Sequence, residues 1–132
     1  MLEILRRREE QQVRWLNMAR AYAERLRERL GKVTAIVYGS VARGDFNLGS
    51  DVDILIVAEG LPAHPLARMD LLYSCLEGPL EPRGYTLTEF RTLQAKGHPF
   101  LTTVLKESVA VTDDLSLINE GQPDHEGRQR EA

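Results

Sequence analysis

At 132 residues the chain has the length of one domain, able to bury a modest core that a partner can supplement. Its net charge of −3 and isoelectric point near 5.6 argue against general nucleic-acid binding, which calls for a basic surface. A single cysteine, Cys75, excludes an intramolecular disulfide and a cysteine-rich zinc site. No apolar run approaches the roughly 20 residues that span a bilayer.

Residues 3–30 read as one long helix without Gly or Pro, dominated by Ala, Leu, Arg, Glu and Gln. Leu16, Ala19, Ala23, Leu26 and Leu30 step by three and four, giving one apolar stripe. Gly31 stands at the C-cap. The first turns, through Gln12, are nearly all polar after Leu5 and are expected to project from the domain or fray. Arg6, Arg7, Arg8 and Arg14 alternate with Glu9 and Glu10, the pattern of a solvated face rather than a nucleic-acid site. Trp15 lies one residue off the stripe, placed either for the core or to anchor a partner; exposed there, it points to dimerisation or partner docking. Charged residues from Glu3 onward leave no signal-peptide pattern, so a cytoplasmic location is expected.

Residues 32–38 read as a first strand, β-branched and apolar over 34–38, with 33–37 suited to burial on both faces. Residues 40–43 fit one helical turn, and 44–49 a turn that Asn47 suits. Residues 51–58 read as a second strand, and 59–65 as a loop punctuated by Gly60, Pro62 and Pro65. His64 in that loop reads as a surface histidine, and Cys75 as a packing residue. A second helix is expected over 66–76, with Leu66, Met69, Leu72, Tyr73 and Leu76 inward. Residues 80–87 read as a third strand, which Pro82 marks as an edge strand or a bulge and Gly84 also weakens. Thr88 is the expected cap of the next helix, with an incomplete capping box, and His98-Pro99 opens another. A short last strand is expected over 109–111. Residues 119–132 are polar and aperiodic, expected to be structureless. The fold class is therefore α/β (α+β): a small mixed sheet of four strands flanked by helices, with a long N-terminal helix. Three parts follow: helix 1–31, core 32–114 and tail 115–132.

The chemistry concentrates in residues 38–57, reading YGSVARGDFNLGSDVDILIV. Asp51 and Asp53 stand two apart on a strand and so share a face. Paired carboxylates repel unless a cation lies between them, and oxygen-seeking Mg²⁺ suits that place. Gly39 and Ser40, just upstream, offer backbone N–H groups and a hydroxyl to phosphate. No Gly-Lys-Ser/Thr ending follows Gly39, which sets a P-loop aside.

Gly39-Ser40, ten intervening residues and Asp51-x-Asp53 resemble the signature of the DNA polymerase beta-like nucleotidyltransferases, and within them the minimal nucleotidyltransferases. Ala42-Arg43-Gly44 and Ser50-Asp51 also match that group's pattern. The resemblance implies transfer of an NMP, AMP from ATP first among NTPs, to an acceptor hydroxyl with release of pyrophosphate. It implies two Mg²⁺ ions on Asp51, Asp53 and a third carboxylate from a neighbouring strand. Glu81 stands there, a few residues before the Tyr85-Thr86 pair of the related pattern, although the commonest form has Asp and Pro82 follows here. The other reading of Glu81 is a solvent-exposed glutamate. Gly39, Ser40, Arg43 and Ser50 would bind the nucleotide. Arg43 would neutralise the leaving phosphates, or form a structural ion pair with Asp45 or another acid. Relatives of this kind often act as antitoxin to a helical HEPN partner. The alternative is a non-catalytic module that binds nucleotide or neutralises a HEPN toxin by contact. A homo-oligomer is compatible with the sequence.

Overall fold

The computed structural model describes residues 2–46 and 51–118. The elements run α1 (Leu2–Leu30), β1 (Thr34–Tyr38), α2 (Ser40–Arg43), β2 (Val52–Val57), α3 (Pro65–Ser74), β3 (Leu80–Tyr85), α4 (Leu87–Ala95), α5 (Pro99–Lys106) and β4 (Ser108–Asp113). The four strands form one mixed sheet in the order β3-β2-β1-β4. β1 is antiparallel to both β2 and β4, and β2 is parallel to β3. The expected class, a mixed sheet flanked by helices with a long N-terminal helix, is what the chain forms. β3 is an edge strand, the place where Pro82, lacking an N–H, is tolerated.

Alternation along the strands divides the core in two. Ala35, Val37, Ile54 and Ile56 face one side and pack with Ala19, Tyr22, Ala23 and Leu26 of α1 and Leu72 of α3. Ile36, Leu55 and Val57 face the other and meet Phe90 of α4, Leu101 and Val104 of α5, and Leu117. Both faces of β1 and β2 are covered, which is why their sequences read as unbroken apolar runs. The Tyr22 phenol is buried, which pushes its pKa up, and it donates to the Leu72 carbonyl at 2.7 Å.

Three expectations change. α3 turns inward only part of the expected face: Leu72 and Leu76 pack against the first core as expected, but Leu66 (74% exposed), Met69 (49%) and Tyr73 (46%) point outward. The inward row is Arg68, Leu71, Leu72 and Cys75, an i, i+3, i+4, i+7 set. Arg68 belongs there because its guanidinium donates to the Pro62 and Gly84 carbonyls and pairs with Glu89 at 2.8 Å. The cap of α4 is Thr86, not Thr88, because β3 ends at Tyr85. Thr86 and Glu89 form a complete capping box. Trp15, by contrast, takes the core placement of its two expected ones, half-buried against the first core, and the large exposed apolar residues of α1 are Leu2, Ile4, Leu5 and Val13. β4 is longer than the expected three residues: five of its six residues pair along β1, with a bulge at Val111 between the pairs.

Leu117 is buried in the second core, with Leu115 and Ile118 packed against that core, so packing continues past residue 114. His64 and His98, each followed by proline, cap α3 and α5 by accepting the N–H two residues on. The tail expected from Asn119 onward lies outside the described residues.

Candidate active site

The strand directions bring the end of β1 and the starts of β2 and β3 to one edge of the sheet. Tyr38 pairs with Asp53, and Asp53 pairs with Glu81. Residues in one row point to the same face, here the face that α4 and α5 cover further along. The register thus places a carboxylate on β3 beside the second aspartate of the Asp-x-Asp pair. Asp53 is partly buried, while Asp51, just before β2, and Glu81 are exposed.

Gly39 leaves β1 with φ of +80°, a conformation that strains any side chain. A Cβ at this position would lie 2.8 Å from Asp53 Oδ2. The loop backbone therefore runs directly against the carboxylate. Ser40 opens α2, and its carbonyl accepts from Gly44 N at 2.9 Å and Asp45 N at 3.1 Å. The first N–H groups of any helix lack an intrahelical acceptor, so the Ser40 end of α2 presents donors beside Asp53. Arg43 lies in two exposed ion pairs, with Asp45 at 3.2 Å and Glu107 at 3.7 Å. Ser50 lies outside the described residues.

A family model for the nucleotidyltransferase domain matches residues 19–120. The chain belongs to the nucleotidyltransferase domain family. That places it with the DNA polymerase beta-like enzymes whose signature the Gly39–Asp53 stretch carries, and general nucleotidyl transfer is the chemistry of the family. The fold is also similar to the crystal structure of a protein assigned as a nucleotidyltransferase from Sulfolobus solfataricus, at 25% identity and a TM-score of 0.60, over 78% of this chain and 84% of that one. No curated protein matches the chain.

In this nucleotidyltransferase domain, burial pushes the Asp53 carboxyl above the ordinary range, and the Asp51 charge pushes the same way. The Arg83 charge opposes both. Two acids with incomplete compensation favour a cation. The donors are carboxylate oxygens, the chemistry that suits Mg²⁺. Asp51, Asp53 and Glu81 would hold such an ion. Their alignment is by register: among the described residues no three His, Cys, Asp or Glu side chains converge closely enough to hold an ion as they stand. Like charges draw together only around a cation, and Glu81 is exposed at the edge.

Arg83 is the site residue that sequence reasoning missed. It stands two residues after Glu81, so the two share a face. Its guanidinium lies 4.5 Å over the Phe100 ring, a cation–π contact. A hydrogen bond with Tyr85, joined by the Tyr38, Tyr85 and Asp53 charges, holds it above its usual pKa. Phe100 meets Tyr38 edge-on at 5.7 Å. Burial pushes the Tyr38 phenol up, and the Asp53 charge adds to that. The alternation 81, 83, 85 along β3 was the available signal.

Proposed function

We propose that the domain transfers AMP from ATP to an acceptor hydroxyl, using Mg²⁺ held by Asp51, Asp53 and Glu81. The observation that carries this reading is the register that sets Glu81 beside Asp53, with the Gly39 backbone against the same carboxylate. Gly39 and Ser40 take the triphosphate through backbone N–H groups and the Ser40 hydroxyl. Ser50 and Arg43 complete the nucleotide set, Arg43 by exchanging its exposed partners for phosphate oxygens. When bound, Mg²⁺ supplies charge neutralisation at the phosphates and a lowered pKa at the acceptor hydroxyl. The acceptor oxygen forms its bond to the α-phosphorus as the bond to the β-phosphate breaks. Pyrophosphate leaves with that electron pair, and the hydroxyl proton passes to solvent. The protein's share is positioning and fixed charge.

The setting we propose is cytoplasmic, with a HEPN-domain protein as partner and antitoxin activity as the outcome. The exposed apolar residues Leu66, Met69 and Tyr73 of α3 support an associated state, with a partner or a second copy. Among the described residues no helix is long and apolar enough to cross a membrane. The same exposed face supports the second reading, in which the module binds nucleotide or neutralises a partner by contact alone.

Purified protein incubated with Mg²⁺, NTPs labelled at the α-phosphate and a lysate of the source cells separates the two. A labelled acceptor with ATP supports transfer and identifies that acceptor. Absence of label from folded protein with every NTP removes the enzymatic reading and leaves the binding one.

A further inference from the structure

The turn carrying Gly39 and Ser40 is not held by its own backbone alone. A helix of four residues leaves its last carbonyls without intrahelical donors. Gly44 N reaches two of them, Ser40 O at 2.9 Å and Val41 O at 3.2 Å. A third donor comes from far away in the chain. The Gln12 side-chain amide, on α1, donates to Val41 O at 2.7 Å and approaches Ala42 O at 3.5 Å. Gln12 is half-buried, and the Val41 side chain is fully seated in the first core. The turn is thus fixed by a side chain on one side and by its own carbonyl on the other. Gln12 also precedes residue 19, where the family match begins.

We propose that Gln12 is a positioning residue for the nucleotide site, making the N-terminal half of α1 part of the machinery that orients Gly39 and Ser40. This rests on the reading of Gly39 and Ser40 as the phosphate cradle. A simply structural glutamine would stabilise the fold without affecting the handling of nucleotide. The two roles separate because the bond lies at the turn and not in either main core.

The test compares Gln12→Ala, Gln12→Glu and Gln12→Lys with the wild type. The glutamate keeps the shape and loses the donor; the lysine restores a donor. A cavity of about 290 Å³ lined by Leu5, Arg8, Glu9, Gln12 and Gly44 leaves room for these side chains. Hydrogen exchange of the amides in residues 39–45 reads the turn without nucleotide. The KM for ATP in the transfer assay reads the site. We expect faster exchange and a KM raised about 3–10-fold, the value of one lost hydrogen bond, in the Ala and Glu variants. The Lys variant is expected to recover both, with melting temperatures close to wild type throughout. Unchanged exchange overturns the proposal, and so does faster exchange with an unchanged KM. A wild type that labels nothing with any NTP sinks the proposed function instead, and the exchange measurement still decides whether Gln12 holds the turn.

Discussion

Asp114 and Glu89 sit in ion pairs that fasten one element to another, whereas Asp53 sits beside a second acid. Asp114 accepts both Arg27 Nε and Nη2 at 2.9 Å, and the Val33 N–H at 3.0 Å, tying α1 and β1 to the end of β4. Its carboxyl is held below the usual range, first by the hydrogen bond from Arg27. Glu89 is lowered in the same way, first by Arg68, while it closes the capping box of α4. Asp53 moves in the opposite direction, raised by burial and by Asp51. Acids that stabilise the fold are satisfied by the protein. The acid at the sheet edge is left under-compensated, and that charge is available to a ligand.

The sharpest way to test the contrast is at Glu81. Glu81→Gln keeps the shape and removes the charge, so transfer is expected to fall by about 100-fold or more, with the melting temperature unchanged. Steady-state rates and thermal melts on the same preparation read both. An equal loss of stability would move Glu81 into the structural class with Asp114.

Gly39→Ala blurs the two classes on purpose. The added Cβ meets Asp53 Oδ2 at 2.8 Å in a residue with φ of +80°. Strain of about 1–2 kcal/mol and a misplaced carboxylate are expected together, lowering transfer by about 100-fold. Chemical denaturation alongside rates measures both effects.

The smallest effect is in acid. Because Asp114 and Glu89 have lowered folded-state pKa values, their contribution is complete above the unfolded values of about 3.9 and 4.3. It is lost as pH falls through the lowered folded values. Urea midpoints should therefore drop on acidification, and Asp114→Asn should flatten that drop while lowering the midpoint at neutral pH. Asp53 has the reverse sign: raised above its unfolded value, it favours the fold when protonated and loses that contribution as pH rises.

The site was legible where its residues are consecutive. Gly39, Ser40, Asp51 and Asp53 fall within one short stretch of sequence from the end of β1 to the start of β2, so their meeting needs no knowledge of the rest. Glu81 was reachable by resemblance, but its partnership with Asp53 depends on a parallel pairing that only the folded sheet provides. Arg83 went unread although it follows Glu81 by two on the same strand. The face of α3 was partly misassigned because a charged residue, Arg68, occupies an inward position on the strength of carbonyls and a carboxylate distant in sequence. Gln12 is beyond local reasoning: 29 residues separate its amide from the carbonyl it holds. The end of β3 was placed two residues late, which hid the Thr86–Glu89 box behind Thr88.

The central claim is that the Asp53 charge is kept for chemistry at a cost to the fold. Asp53→Asn tests it directly when label transfer and thermal stability are measured on one preparation. The account predicts that transfer is abolished while the melting temperature at neutral pH stays level or rises, because a neutral amide relieves the crowding with Asp51. A variant that still transfers label, or one that loses transfer only because it unfolds, would contradict it.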